Sequence, residues 1–310
     1  ALAAARSAQG GPMTALHVFE RGWLSSNNVL LFDDDGGATL VDSGYHTQRE
    51  QTLALVQARL GGRRLTRIVN THLHSDHCGG NAWLQQATGA RIAIPPGMAD
   101  AVARWDEDAL SFRATGQHCP RFRADDLIAP GQALQMGGAR WQVLAAPGHD
   151  PHSVMLWDDA AGVLISADVL WEHGFGAIFP EVEGDSGFAE QAAMLDVIGK
   201  LRPRRVIPGH GAPFSGVDAP LARARERLAA LSADPARNAR HVARVLIKFY
   251  LLEVRDIAWP ALLAHLESAR YFHVINERYF RLPFEQLIAR AVTELVAAGA
   301  AERVDGRVLN

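Results

Sequence analysis

Along residues 13–218, short β-branched and apolar runs recur, each bounded by Gly, Pro, Asp or Asn, which is the pattern of strands and their turns. They fall at Ala38–Val41, Arg67–Thr71, Arg91–Ile94, Trp141–Leu144, Ser153–Trp157, Val163–Ser166 and Arg205–Ile207. Between them lie stretches with apolar residues at helical spacing. Thr47–Leu60 carries Leu53, Val56 and Leu60, and Phe188–Leu201 carries Phe188, Ala192, Leu195 and Ile198. Strands alternating with helices predict a layered α/β fold. From Ala219 the pattern changes. Strand signals fade, and His241–Val254 sets Val242, Val245, Leu246, Phe249 and Leu252 on one stripe. Pro260 and Pro283 stand at helix starts, where a missing N–H costs nothing. Gly299 fits a C-terminal cap after Phe284–Ala298, and Val304–Val308 reads as a hairpin around Asp305-Gly306. The expected organisation is a flexible leader at 1–12, a catalytic domain at 13–218 and a small helical, winged-helix-like domain at 219–310.

Composition adds limits. The chain has 310 residues, is 48 % hydrophobic and 21 % charged, and so reads as an ordinary globular protein. No run approaches the roughly 20 apolar residues of a membrane helix, so no membrane partner is expected. Two cysteines make no disulfide framework, and residues 1–12 hold no apolar core of signal-peptide length. Both features point to a cytoplasmic location. Residues 1–220 carry 17 basic against 24 acidic side chains, a balance of −7, and residues 221–310 carry 14 against 10, a balance of +4. The acidic body, with no basic patch interleaved with aromatics, argues against a nucleic-acid partner. The apolar stripes of the tail suggest a homodimer interface.

Candidate chemistry is concentrated after the strand at 67–71. His72, His74, Asp76 and His77 fall within six residues, and Gly79-Gly80 then let the chain turn into a helix. A strand running into a tight loop aims such side chains at one point, and imidazole and carboxylate are the ligands of a catalytic zinc. An isolated loop histidine is usually just solvated. Four ligand types spaced H-x-H-x-D-H are a metal-site pattern. Three later residues each follow a strand: His149 in Pro147-Gly148-His149, Asp168 in Ser166-Ala167-Asp168, and His210 in Pro208-Gly209-His210.

This ordered set, with Asp42 in Leu40-Val41-Asp42-Ser43-Gly44 before it, resembles the metallo-β-lactamase-fold superfamily over about residues 13–215. The resemblance implies a four-layer αβ/βα sandwich and two zinc ions per chain. His72, His74 and His149 would hold the first, Asp76, His77 and His210 the second, and Asp168 would bridge them. Asp42 would orient a ligand or its loop. Iron or manganese suits the same ligand types. Such a site uses a metal-bridging hydroxide against a carbonyl or phosphoryl centre, and Asp76 would steer it. His152 and His173 are weaker catalytic candidates, each as readily a plain loop histidine. Trp23 is read as either an apolar flap or core. Cys78 reads as a small filler behind the loop rather than a nucleophile.

Fold alone does not name a substrate. The motif string looks most like glyoxalase II, and the leading expectation is a hydrolase of small carbonyl substrates: thioester, lactone, ester or β-lactam. No clear tyrosine lies in the loop after Asp168 to assist lactone opening. The alternative is a metal-dependent ribonuclease or phosphodiesterase with the basic tail on nucleic acid. A third reading is a non-catalytic scaffold, against which the complete ligand set argues.

Overall fold

The computed structural model describes residues 16–310; the leader expected at 1–12 lies outside the described residues. The first half of the chain builds one sheet. Strands β1 (Leu16–Phe19), β2 (Asn28–Phe32) and β3 (Gly37–Val41) are antiparallel neighbours. Helix α1 (Arg49–Leu60) crosses to β4 (Arg64–Val69), which lies parallel to β3. The short α2 (Ser75–Cys78) and α3 (Asn81–Thr88) lead to β5 (Arg91–Ile94), also parallel. Helices α4 (Ala99–Arg104) and α5 (Phe112–Thr115) precede the edge strand β6 (Asp126–Leu127).

The second half builds the other sheet. β7 (Ala133–Met136), β8 (Ala139–Ala145), β9 (Val154–Asp158) and β10 (Val163–Ala167) run antiparallel. Helices α6 (Pro180–Glu183) and α7 (Phe188–Leu201) connect to β11 (Arg205–Pro208), parallel to β10.

The two sheets pack face to face, and strand periodicity decides which residue enters which layer. In β2, Val29 and Leu31 point into the core between the sheets, where they meet Trp141, Val143, Leu156 and Ile165 of the other sheet. Leu30 between them points to the opposite face, against Val56, Leu60 and Leu84 of α1 and α3. In the second sheet, Met155 and Leu164 turn outward to Leu195 and Ile198 of α7. The result is helix, sheet, sheet, helix: the four-layer sandwich. Strands β3, β9 and β10 are buried at every position because both of their faces are covered, which is why they read as continuous apolar runs. The sequence reading lacks β1, β2, β6 and β7, short strands with weaker bounding signals.

Beyond β11 come α8 (Asp218–Ala233), α9 (Pro235–Val254), β12 (Asp256–Ala258), α10 (Trp259–Ser268), α11 (Arg270–Ile275), α12 (Phe284–Ala297), β13 (Glu302–Val304) and β14 (Arg307–Leu309). Helix α8 packs Leu221, Ala224, Leu228 and Leu231 in the same layer as α7. A separate helical core begins in α9 and gathers Val242, Leu246, Leu262, Ile288 and Val292. Ala177 and Val182, from the segment after Asp168, are buried in that same core. Of the α9 stripe, Val242 and Leu246 are buried in this core, together with Leu287, Ile288, Val292 and Leu295 of α12. Asp305 and Gly306 both have positive φ (49° and 74°), the backbone of a tight hairpin turn. β12 adds a third strand to that hairpin, an element absent from the sequence reading.

Candidate metal centre

The site forms where the loops leaving β3, β4, β8, β10 and β11 converge. Asp42 follows β3 with φ 57°, a left-handed conformation that aspartate tolerates better than most residues. Its Oδ1 accepts the Thr71 backbone N–H at 2.8 Å, and its Oδ2 accepts the Thr71 hydroxyl at 2.8 Å. The same Oδ2 lies 2.8 Å from His77 Nδ1. One carboxylate therefore ties the loop after β4 to the end of β3 and fixes the His77 ring, with Nε2 turned inward. That Nε2 is buried and has no hydrogen-bond partner among the described residues.

Glycines allow the loop to pack this tightly. A Cβ on Gly80 would collide with the Ser43 carbonyl, and one on Gly79 with the Ser75 carbonyl and the His46 amide. His74 is the residue before α2, and Asp76 and His77 lie within that turn. His149 sits after Gly148, whose φ is 139°, and its Nδ1 bonds the Ala177 carbonyl, so Nε2 is left as the acceptor.

Three ligand-type groups result, the donor atoms in each lying within 4.8 Å of one another: His72, His74 and His149; His72, His77 and Asp168; Asp76, His77 and His210. His74 Nδ1 is 2.8 Å from His149 Nε2 and 3.1 Å from His72 Nε2. Asp168 Oδ2 lies 3.4 Å from His149 Nε2 and 3.5 Å from His77 Nε2, between the outer groups. His210 Nε2 lies 3.0 Å from Asp76 Oδ2. The residues expected from the sequence are therefore brought together.

The electrostatics suit a cation. Burial, reinforced by His77 and His74, holds His72 well below the ordinary imidazole pKa. Burial likewise brings His74 and His149 to about 4. Three neutral imidazoles thus aim ring nitrogens at one point, a crowd of lone pairs that a metal ion would relieve. Burial also disfavours charge on His77, but Asp42, Asp168 and Asp76 together hold its pKa well above the usual value. Burial opposes ionisation of Asp168, and His77 and His210 overcome it and hold the carboxyl well below its usual range. The orphaned His77 Nε2, the converging imidazoles and the ionised carboxylates all fit bound metal.

The two weaker candidates stand apart from this cluster. His152 rests its ring against Gly97 and is not among the residues lining the cleft over the centre. The side chain of this turn that approaches the cluster is that of Asp150. Asp150 is buried, its Oδ1 accepts the His152 backbone N–H, and its Oδ2 lies 3.9 Å from His74 Nε2. His173 is at the cleft rim with its side chain 81 % exposed, 3.8 Å from Glu172. Trp23 is 59 % exposed and stacks on His210 at 5.3 Å, as a flap and not as core. Cys78 is buried with Sγ 3.7 Å from Cys119 Sγ, and burial pushes its thiol pKa well up, consistent with a filler.

The loop after Asp168 is legible in the sequence as a pocket-shaping segment, but one contact within it is not. The Trp171 indole N–H donates to Asp168 Oδ1 at 3.1 Å, on the oxygen turned away from His77 and His149. Its position three residues after Asp168 was the only available signal.

A cleft of about 840 Å³ opens over the centre. Phe179 forms part of its wall, edge-on to His74 at 5.2 Å and to His149 at 5.6 Å. No helix among the described residues is long and apolar enough to cross a membrane.

Residues 21–210 match the metallo-beta-lactamase superfamily. Similar curated proteins are named hydroxyacylglutathione hydrolase. The one from Rhodospirillum rubrum is 27 % identical over 206 residues, covering 66 % of this chain and 67 % of that protein. The one from a Polaromonas species is 28 % identical over 240 residues, covering 72 % and 80 %. Among solved structures, a beta-lactamase domain protein from Burkholderia ambifaria shares the fold across 97 % of this chain and 94 % of its own, with TM-score 0.58 and 24 % identity. TTHA1623, solved in a di-iron-bound form, is 28 % identical with TM-score 0.52 over 67 % of this chain and 96 % of its own. The match over residues 21–210, together with the converging histidines and aspartates, makes this chain a member of the metallo-beta-lactamase superfamily and a metal-dependent hydrolase.

Proposed function

We infer that the protein binds two metal ions, zinc by default, and hydrolyses a small carbonyl substrate, a thioester foremost. The observation carrying this reading is the convergence of three ligand-type groups around Asp168. His72, His74 and His149 would hold one ion, Asp76, His77 and His210 the other, with Asp168 between them. When bound, the ions supply Lewis acidity to the substrate oxygen and lower the pKa of a water.

The chain's own residues do the rest. Asp42 fixes the His77 tautomer, keeping Nδ1 protonated and Nε2 free to ligate. Burial opposes ionisation of Asp76, yet His77 and His210 pull its pKa below the usual value. Its carboxylate stays ionised, a hydrogen-bond acceptor that orients the attacking water. Phe179 and Trp23 wall the centre with apolar surface, which strengthens electrostatic interactions inside it. The hydroxyacylglutathione hydrolases among the relatives favour a thioester over a lactone or β-lactam.

A hydrolysis screen on metal-loaded protein tests the reading. It uses S-D-lactoylglutathione, an acyl-homoserine lactone, nitrocefin, bis-p-nitrophenyl phosphate and a short RNA, with Asp168→Asn as control. Turnover of carbonyl substrates that Asp168→Asn abolishes is the expected result. Turnover confined to the phosphodiester and RNA would make the protein a nuclease. Metal analysis should give about two ions per chain, and a reproducible value of one would remove the dinuclear assignment.

A further inference from the structure

The cleft over the metal centre continues along one face of α9, from Arg237 through His241, Arg244 and Lys248 to Leu252. These positions are three or four residues apart, so they form a single stripe. Arg227 of α8 joins them from the neighbouring wall. Four cations therefore line this arm of the cleft. Among the described residues only Arg244 has a carboxylate partner, Glu294 at 3.1 Å. Lys248 donates to two neutral acceptors, the Ala300 carbonyl and Asn310 Oδ1. Arg237 makes no side-chain ion pair among the described residues.

Arg227 is the most constrained of the four. Its Nη1 donates to the Phe175 carbonyl at 3.0 Å, and its guanidinium lies 4.6 Å from the Phe175 ring centre. Its Nη2 is 2.8 Å from His241 Nε2. A guanidinium only donates, so His241 must accept and be neutral. A half-buried charge is here oriented by a carbonyl, a ring and a neutral imidazole, with no carboxylate partner among the described residues. Unpaired charge removed from water is costly, and an anionic ligand would offset that cost.

Apolar surface lies beside this charge. Val245, Phe249 and Leu252 on α9 and Leu295 on α12 line the same cleft. A polar peptide leaving group uses such a wall poorly, whereas an aliphatic or aromatic segment buries against it.

We propose that the substrate is an anionic amphiphile: a thioester or ester joining an apolar segment, held along α9 and α12, to a phosphate or carboxylate held by Arg227 and its neighbouring cations. This rests on the hydrolase reading and narrows its substrate class. In the reaction, water oxygen bonds the acyl carbon and the carbon–sulfur bond breaks. The thiolate takes up a proton, so a thioester and water give a carboxylic acid and a thiol with no redox partner.

The test compares kcat/KM for four thioesters. Octanoyl-pantetheine is apolar and uncharged. Octanoyl-coenzyme A carries phosphates on the thiol half, and 7-carboxyheptanoyl-pantetheine a carboxylate on the acyl half. Acetyl-coenzyme A has phosphates but no apolar chain. One of the two charged eight-carbon thioesters should exceed both octanoyl-pantetheine and acetyl-coenzyme A by about tenfold or more, and which one does so says where the anion sits. Arg237→Gln, at an exposed position whose side chain makes no hydrogen bond among the described residues, should raise KM for that substrate by a larger factor than it lowers kcat. Arg227→Gln should act more strongly. Equal turnover of charged and uncharged thioesters, or preference for S-D-lactoylglutathione over all four, overturns the proposal while the hydrolase reading stands. If nothing is hydrolysed, that reading fails. Calorimetric titration with the S-octyl thioether of coenzyme A then decides the subsite: binding weakened by Arg227→Gln supports it, and no binding overturns it.

Discussion

At the residue scale, the candidate centre depends on side chains that touch the ligand-type residues without joining their groups. Asp42 accepts from the Thr71 amide and hydroxyl and from His77, so one carboxylate carries both loop and ligand orientation. Asp42→Ala should reduce metal affinity or activity by about 10- to 100-fold, the usual cost of losing such a partner. A competition titration against a chelator measures it. Trp171→Phe keeps a ring in the cleft and removes only the N–H to Asp168. Its expected effect is a weaker but measurable loss of metal affinity, together with a shifted absorption spectrum in the cobalt-substituted protein. An unchanged spectrum would mean that the indole only packs.

At the element scale, the turn from β4 into α3 is held by close backbone contact with the loop after β3. The Ser43 amide bonds the His77 carbonyl, and the Gly80 amide bonds the Gly44 carbonyl. Gly80→Ala adds a methyl group that meets the Ser43 carbonyl. Overpacking of this kind costs about 1–3 kcal/mol. Urea denaturation of the variant should show that loss, and a midpoint equal to wild type would mean the two loops can separate freely. The H-x-H-x-D-H spacing was legible in sequence because its residues are consecutive. The Gly80–Ser43 contact was not, because its two sides are far apart in the chain.

At the scale of the whole molecule, the helical region is bound into the catalytic layers. Asn238 donates to the Ile178 carbonyl and Tyr279 to the Glu181 carbonyl, while Ala177 and Val182 lie in the helical core. Removing residues 235–310 would expose that surface just behind Phe179, so the truncated chain should lose cooperative unfolding by calorimetry. A sharp transition in the truncated protein would instead make the helical region separable. Acid stability is a property of the same interface. Burial, followed by Arg227 and Arg244, lowers His241 to about 3. The unfolded imidazole titrates near 6.5, so below that pH the unfolded chain binds a proton that the folded chain refuses. His241 thus leaves stability intact above about pH 6.5 and erodes it as the pH falls towards 3, by at most about 1.4 kcal/mol per pH unit. His241→Gln should flatten the stability profile between pH 6.5 and 4 relative to wild type, and an equal slope would show that His241 is not buried neutral.

The sequence by itself determined the layered class, most strands of the second sheet, the α7 span and the histidines and aspartates that converge at the candidate centre. Each of these is written locally, as a period, a turn residue or a short spacing. Edge strands such as β1 and β7 are short and half-covered, so their pattern is weak. What only the tertiary structure decided depends on residues distant in the chain meeting in space. It aligned the Trp171 indole with Asp168 and set His152 against Gly97. It placed the buried face of α8 in the same core as α7. It also brought Arg227 and His241 together on two helices beside the cleft, where burial and charge give them properties that no spacing along the chain encodes.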